Sequence, residues 1–401
     1  MKWERPIIET DLVKLAEDKL LLIYNNLLRN RNKQRNYGLY SGRMGYCLFF
    51  FYYELFTKKK KVAEKYLYEI NALLSKIADD FNYILWFSEF GWLLQHLKRR
   101  QFIDFGIDDI LSGLDECLQE IMTDYIHIDH YEVIYGATNI ANYFLYRNEN
   151  VANQSYDLYL DTLYKKAIYV DKDKITWLSY MDILTKKDNE KHVNLGLAHG
   201  IPALLLFFCK LKSSNYQHKY LDELLIKTCN YILSIENDDV LSFSHFPSTA
   251  QINIKKSQSS RIGWCYGDLA IGYALLCASE FYPEIKTKSL DVLIDTTKRR
   301  NNASIFDDCL CHGTLGTAQM YHRIYSLTNM DRFKETAFYW YEKGIRSKYR
   351  HNCAAGIGFF ADGRKYISNY GFLSGIPGIG LSLISAISEV NPLWDECLLI
   401  S

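Results

Sequence analysis

The sequence predicts an all-α fold, a double α toroid with an inner and an outer ring of seven helices each. The first observation is an internal repeat, a box of two small residues three positions apart followed by an apolar run of helical length. Small residues at this spacing lie on one helix face and let backbones approach closely. The seven boxes begin at Gly42, Ser88, Gly136, Gly200, Gly267, Gly313 and Gly375.

The second observation is the character of the segments between the boxes. Residues 11–29, 61–77 and 221–235 alternate apolar and polar positions at helical spacing, which is typical of half-buried helices. Two helices between the start of one box and the start of the next are typical of stacked helical hairpins. Seven such units can close into a ring or form an open solenoid. The lack of an obvious polar capping repeat at either end favours the ring.

The repeats run nearly from end to end, so we predict one domain over residues 1–401. Small β or loop insertions are expected near 147–194, 238–260 and 350–370, where the periodic pattern is interrupted. The stretch from Ile175 to Tyr180 could be a strand, and the glycines at 356, 358 and 363 suggest a hairpin loop. Loops at the rim of a rigid barrel are where substrate contacts belong.

Charge and cysteine content exclude several classes of protein. The 47 basic and 47 acidic side chains cancel, so neither nucleic acid nor an anionic membrane is expected as a general partner. No uninterrupted apolar run approaches the length of a membrane span. Ten cysteines without an apolar signal segment at the N-terminus predict reduced thiols, metal ligands and a cytoplasmic location.

Two successive repeats carry potential metal ligands at the same place. One reads Trp264-Cys265-Tyr266-Gly267 and the next reads Cys311-His312-Gly313. Two thiols and an imidazole can hold zinc and leave one coordination position open, the pattern of a catalytic site. The alternative is that all three are core residues without metal. The adjacent Cys-His at the repeat position of Cys265 favours zinc.

The residue just before each box is expected at the N-terminal end of an inner helix, around one rim of the central cavity. His199 has this position in the fourth repeat and Tyr266 has it in the fifth. His199 could face the cavity as an acid or base, or it could cap its helix and pack. Tyr266 could equally be a packing residue, and Arg261 could simply pair with Asp268.

Three motifs on this framework, Leu197-Ala-His-Gly200, Trp264-Cys-Tyr-Gly267 and Cys311-His-Gly313, resemble the lanthionine synthetase C-like family. The resemblance covers essentially the whole chain and implies the double α toroid found in that family. It also implies an enzyme, a stand-alone lanthionine synthetase (lanthipeptide cyclase) with zinc as its cofactor. The family's zinc ligands fall on Cys265, Cys311 and His312.

The resemblance also implies catalytic roles for four residues. The family's acid–base histidine falls on His199, and further active-site residues fall on Arg261 and Tyr266. An acidic residue of the third repeat falls on Glu132, where the family commonly has Asp. Asp129 is the alternative for this role.

The implied reaction adds peptide cysteine thiols to dehydroalanine or dehydrobutyrine and forms (methyl)lanthionine thioether rings. The implied substrate is a dehydrated lanthipeptide precursor with leader and core segments. A dehydratase and an export transporter are the implied partners, in a complex that would hold the cytoplasmic protein peripherally at the membrane. The alternatives are a glutathione- or peptide-thiol-binding protein of the same family and a non-catalytic, zinc-stabilised peptide scaffold.

Overall fold

The structure is a computed structural model that describes residues 3–60, 62–77, 83–179, 191–238, 243–252, 259–301, 303–361, 363 and 365–401. Its contacts divide the chain into two compact units. The first unit combines Met1–Ile107 with Ile305–Ser401, and the second unit is Asp108–Ser304. The single domain predicted over residues 1–401 stays a prediction.

Each unit is built mainly of α-helices, and the described residues form fourteen of them. The helices of the first unit are α1 Thr10–Asn30, α2 Arg43–Thr57, α3 Ala63–Leu74, α4 Ile84–Arg99, α12 Thr314–Thr328, α13 Asp331–Ile345 and α14 Ile376–Ile387. The helices of the second unit are α5 Asp108–His127, α6 Ala137–Phe144, α7 Glu149–Lys166, α8 Ile201–Ser213, α9 Leu221–Ser234, α10 Asp268–Ala278 and α11 Lys286–Thr297.

The helices alternate between two kinds, as the sequence predicts. The even-numbered helices follow or contain the boxes and are apolar nearly all round; every residue of α14 is buried. The odd-numbered helices bury one side only; in α1 the buried residues recur about every three or four positions, from Leu12 to Leu27. The amphipathic segments predicted from periodicity correspond to α1, α3 and α9 and are confirmed as helices.

Six of the seven boxes begin their helix as expected. Gly42, Gly136, Gly200, Gly267, Gly313 and Gly375 are each the residue directly before the first helical residue. The second box is the exception, since α4 already begins at Ile84 and Ser88 lies one turn inside it. The prediction that Ser88 starts a helix is therefore wrong. Without a glycine at the first position of its box, this repeat has no residue there that forces the chain to turn.

The first and last repeats contact each other within the first unit. The N–H of Ile7 donates to the Ala386 carbonyl at 3.0 Å, and the indole of Trp3 donates to the Ser385 carbonyl at 2.8 Å. The N–H of Leu373 donates to the Tyr40 carbonyl at 3.1 Å. The ends of the repeat array therefore meet within this unit.

Short antiparallel strand pairs lie in the three predicted insertions, but the first insertion is not irregular throughout, because residues 149–166 form α7. Ile168–Asp171 (β1) pairs with Lys174–Thr176 (β2), so the strand expected over 175–180 ends at Thr176. Val193–Asn194 (β3) pairs with Thr249–Ala250 (β4), and Phe359–Ala361 (β5) pairs with Lys365–Ile367 (β6) in the predicted hairpin. Residues 180–190, 239–242 and 253–258 of the insertions lie outside the described residues. Among those described, no helix combines the length and apolar character needed to cross a bilayer.

Candidate functional site

A repeated turn leads into six of the apolar helices, and we call it the cap turn. It spans seven residues and ends on the box glycine: 36–42, 130–136, 194–200, 261–267, 307–313 and 369–375. In four of the six turns the carbonyl of the first residue accepts the N–H that follows the glycine, for example Ala137 to His130 at 2.8 Å and Thr314 to Asp307 at 2.9 Å. The side chains that precede the glycine are thereby held in a fixed order.

The glycine at the end of the cap turn is required by close backbone approach. A Cβ atom at Gly200 would lie 2.0 Å from the Asn194 carbonyl oxygen, and one at Gly267 would lie 1.8 Å from the Arg261 carbonyl oxygen. Gly267 also has a φ of 104°, which side chains disfavour. The small residue that sequence analysis explained by helix packing is thus needed first for the turn.

The start of the cap turn carries a signal that the sequence analysis missed. Asn36, Asn194 and Asn369 each accept, through the side-chain oxygen, the N–H two residues later, at 2.8 to 2.9 Å. Asp307 does the same for Cys309 at 3.1 Å. Such Asx turns stabilise tight loops. The pattern Asn-x-Gly-x-x-x-Gly, present three times, could have identified this turn from sequence.

The residue four positions before the box glycine is either another glycine or a residue with a reactive side chain. It is glycine at 38, 196, 263 and 371, but Glu132 and Cys309 in the other two cap turns. Glu132 is among the predicted site residues, whereas Cys309 is not. Alignment of the whole turn, rather than of the box alone, would have singled out both side chains.

Glu132 and His199 form an ion pair at the centre of the second unit's site. The Nδ1 atom of His199 contacts a carboxylate oxygen of Glu132. Glu132 is 2% exposed, and the His199 side chain is 32% exposed. Burial alone would lower the pKa of His199, but the Glu132 carboxylate and the Cys265 thiolate raise it above its usual value. The protonated imidazole, which can donate a proton, is therefore more stable here than it is for a free histidine.

The structure distinguishes Glu132 from its neighbour Asp129. Asp129 pairs with Lys166 at 2.8 Å and with Lys191 at 2.5 Å, which lowers its pKa against the opposing effect of burial. Asp129 therefore forms ion pairs with two lysines, and Glu132 is the acidic residue that contacts His199.

Tyr266 and Cys265 lie beside His199 in the same unit. The rings of Tyr266 and His199 are 6.3 Å apart, and the Tyr266 hydroxyl accepts a hydrogen bond from the Asn194 side chain at 2.9 Å. The Cys265 carbonyl accepts the N–H of Ala198 at 3.4 Å, and Cys265 is 6% exposed. The cap turns 194–200 and 261–267 thus bring His199, Tyr266 and Cys265 together.

Arg261 does not form the pairing with Asp268 that was weighed as an alternative. Asp268 is held by Arg299 at 2.9 Å and accepts the backbone N–H groups of His245 and Phe246, each at 2.9 Å. The half-buried Arg261 side chain makes no hydrogen bond or ion pair within the described part of the chain. Its charge is therefore not neutralised by a partner there.

Cys311 and His312 lie in the cap turn 307–313 of the first unit. The N–H of Cys311 donates to the Leu373 carbonyl at 3.0 Å, and the His312 ring lies 5.7 Å from the ring of Phe359. Asp307, Cys309 and His312 each place one potential ligand atom within 4.8 Å of the others. This unit therefore contains a Cys/His group that could hold a metal ion, to which sequence analysis contributed only the histidine.

The family model described as lanthionine synthetase C-like protein matches residues 33–399. The chain belongs to this family. No curated protein matches the sequence. Among solved structures, the lanthionine synthetase C-like chain is similar to nisin cyclase, with a TM-score of 0.70 and 18% identity over 95% of this chain and 96% of that one.

These matches confirm three sequence predictions for the lanthionine synthetase C-like chain. The family is the one that the three motifs indicated. The fold class, an all-α toroid, is confirmed by the family and by the structural similarity. At the level of the family, the enzyme class expected from the sequence, a lanthionine synthetase, is also confirmed.

Proposed function

We propose that this protein is a zinc-dependent lanthipeptide cyclase. It would add cysteine thiols of a dehydrated precursor peptide to dehydroalanine or dehydrobutyrine and form (methyl)lanthionine rings. The observation that carries the proposal is the His199–Glu132 pair beside Tyr266 and Cys265, in a chain of the lanthionine synthetase C-like family. An imidazole with a raised pKa next to a thiol suits an addition that ends in proton transfer to carbon.

Cys265, Cys311 and His312 are the proposed zinc ligands. Two thiolates and an imidazole are donors that zinc prefers, and the fourth position would stay open. The fit is supported by equivalent repeat positions of the two cysteines and by the burial of Cys265. When bound, the ion would bind the substrate thiol and favour its thiolate, which is otherwise a minor form near neutral pH.

His199 is the proposed general acid. Thiolate attack on the β-carbon of the dehydro residue leaves an enolate, and the α-carbon must then take up a proton. Glu132 engages Nδ1 of His199, so Nε2 is the nitrogen left for the substrate. The buried carboxylate fixes the ring orientation and stabilises the imidazolium before the proton is given up.

Arg261 and Tyr266 are the proposed donors to the enolate oxygen. The Arg261 side chain presents several N–H donors in a rigid fork that suits an anionic oxygen. The Tyr266 oxygen accepts a hydrogen bond from Asn194, which positions the phenol, and a phenol O–H is a hydrogen-bond donor. Fixed donors directed at developing negative charge stabilise the transition state more than the ground state.

The same resemblance leads us to propose the wider context. The substrate would carry leader and core segments and would come from a dehydratase. That enzyme and an export transporter would hold this chain, cytoplasmic in location, at the membrane surface.

The decisive experiment incubates the purified protein with its dehydrated cognate precursor and then alkylates the remaining thiols. Mass spectrometry should show one fewer alkylated thiol for each ring formed, and zinc analysis should show about one ion per chain. Bound zinc without any ring would favour a non-catalytic scaffold. Thioether formation with glutathione in place of the peptide thiols would favour the glutathione-binding alternative.

A further inference from the structure

An open groove of about 720 Å³ lies in the first unit, in a part of the molecule that the proposed chemistry does not use. It is lined by the C-terminal end of α2, the N-terminal half of α3 and the turn that follows α4. Its size is within the range of clefts that hold small ligands or several peptide side chains. All the lining residues belong to the described part of the chain.

The floor of the groove is aromatic and aliphatic. The rings of Phe51 and Phe102 lie 5.5 Å apart and form its base. Leu55 is 48% exposed and Tyr68 is 52% exposed, although both line the groove. Large apolar side chains left in water next to one another mark binding surfaces more often than isolated ones do.

The rim of the groove is basic. Lys58, Lys60 and Lys65 line it, are exposed, and form no ion pair with any described residue. They belong to a dense basic stretch in a chain whose 47 basic and 47 acidic side chains otherwise cancel. The local positive charge is therefore a feature of this groove and not of the protein as a whole.

The two carboxylates of the groove do not cancel the three lysines. Glu54 accepts the backbone N–H groups of Val62 and Ala63 at 2.6 and 3.0 Å, so this carboxylate already caps the start of α3. Glu64 is exposed in the first turn of α3, where a negative charge favours the helix. An incoming ligand would therefore meet an apolar floor surrounded by unpaired ammonium groups.

We propose that this groove binds a peptide segment that combines apolar anchors with carboxylates. The apolar anchors would fill the floor around Tyr68 and Leu55, and the carboxylates would meet the three rim lysines. A concave groove of this volume suits protruding side chains better than the flat surface of a bilayer. Rim charges of this kind mainly raise the association rate and select the partner's charge.

If the proposed function holds, the natural occupant is the part of the precursor that carries no reacting residue. Holding that segment away from the reaction centre would raise the effective concentration of the reacting thiols at that centre. The groove would then affect KM for the full precursor and leave kcat unchanged, because none of its residues touches the reacting atoms.

Binding can be tested with the full-length protein and a fluorescein-labelled synthetic peptide helix that has leucine on one face and glutamate on the other. Fluorescence anisotropy should show saturable binding that weakens as salt is added. The same peptide with glutamine in place of glutamate should bind roughly tenfold more weakly, because it loses its charge contacts with the three rim lysines. Equal binding of the two peptides would contradict the proposed role of the lysines.

Three variants locate the binding. Lys58→Glu with Lys65→Glu should weaken binding of the acidic peptide by about tenfold or more, and Leu55→Ala with Tyr68→Ala should do so at any salt concentration. Lys14→Glu with Lys286→Glu changes two exposed lysines outside the groove by the same charge and should leave binding within about twofold of the unchanged protein. Circular dichroism and melting temperature should match in all proteins that are compared.

Other occupants would overturn the proposal. Flotation with phosphatidylserine vesicles that depends on Lys58 and Lys65, without peptide binding, would make the groove a lipid contact. Dimerisation in light scattering that Tyr68→Ala abolishes would make it a self-association surface. Rings formed on the precursor by a protein that never binds the probe would refute the groove proposal alone. Probe binding without any ring formation would refute the proposed function alone.

Discussion

Two histidine–glutamate pairs with a buried glutamate, one in each unit, have opposite properties. In the second unit His199 meets Glu132, and the His199 side chain is 32% exposed. In the first unit His96 meets Glu396 at 3.2 Å, and the His96 side chain is fully buried. A pair of these residue types therefore says little about function until its surroundings are known.

The surroundings of His96 leave it no chemical role. Its Nδ1 faces Glu396, and its Nε2 is 3.0 Å from the Tyr52 hydroxyl, so both nitrogens are occupied. Burial lowers the pKa of His96 and outweighs the attraction of Glu396, which Arg99 and Arg100 also share at 2.7 Å each. His199 keeps one nitrogen for a substrate and has a raised pKa. His199 and His96 therefore differ in their access to a substrate and in whether arginines compete for the paired glutamate.

The largest effect is expected from Cys265 and Cys311, because they are proposed zinc ligands. Cys265→Ala and Cys311→Ala should each remove the metal and abolish ring formation, because a zinc site with three protein ligands cannot spare one. Helical content should change little, since the helices bury their own apolar faces. Metal analysis, circular dichroism and the alkylation assay on each variant check this. Full zinc content in either variant would exclude that cysteine as a ligand.

Replacement of the two histidines tests the comparison directly. His199→Asn should retain zinc and slow ring formation by about a hundredfold or more, the usual cost of losing a general acid. Thiolate addition is reversible, so the stalled enolate should also give wrong rings. His96→Asn should lower the melting temperature and leave the rate per folded molecule unchanged. Lost zinc would make His199 a ligand, and full activity with zinc retained would remove it from the mechanism.

The fold was predictable because its repeat is visible in the residue types. Apolar runs behind Gly200 or Gly375 and charged segments between them are sufficient to predict alternating buried and half-buried helices. The prediction at Ser88 was wrong because two small residues three positions apart are not sufficient to start a helix. These helices begin after a glycine that lies against a backbone carbonyl oxygen, as Gly200 does. That requirement comes from backbone contact rather than from composition.

The site was predictable in its residue types but not in its pairings. Repeat position led to His199 and Tyr266, yet the box alone does not distinguish Glu132 from Asp129. The choice depends on Lys166 and Lys191, which approach Asp129 from other segments and neutralise it. Cys309 was missed because the alignment began at the box and not at the start of the cap turn. Such pairings depend on contacts between distant segments, which no local pattern records.

An intermediate effect is expected in the first unit, on stability rather than on activity. Burial alone would raise the pKa of Glu396, but the hydrogen bond from His96 and the Arg99 guanidinium lower it to about 2, against 4.5 for a free side chain. Glu396→Gln leaves Arg99 and Arg100 without their common partner and should cost about 3 kcal/mol of the free energy of unfolding near pH 7. Urea denaturation of the variant and the unchanged protein measures this loss.

The pH dependence of that loss follows from the direction of the shift. A carboxyl with a lowered pKa contributes its full stability above 4.5 and loses it as the pH falls from 4.5 towards 2. The two proteins should therefore differ most above pH 5 and converge near pH 2. A difference that stays constant over this range would show that the Glu396 charge is not what stabilises the first unit.

The smallest effect should come from Glu132→Gln, which keeps the shape of the His199–Glu132 pair and removes the charge of the carboxylate. Glu132 raises the pKa of His199, so the variant should lose the protonated imidazole at a lower pH. A general acid is active when protonated, and the fall in rate with rising pH should move to lower pH. If the pKa falls by one unit, about tenfold less imidazolium remains at any pH well above it.

Asp129→Asn is the matched control, because it removes a carboxylate of the same repeat that pairs only with lysines in the described structure. Its pH–rate profile should coincide with that of the unchanged protein. A shift caused by Asp129→Asn but not by Glu132→Gln would reverse the assignment of the acidic residue of the third repeat.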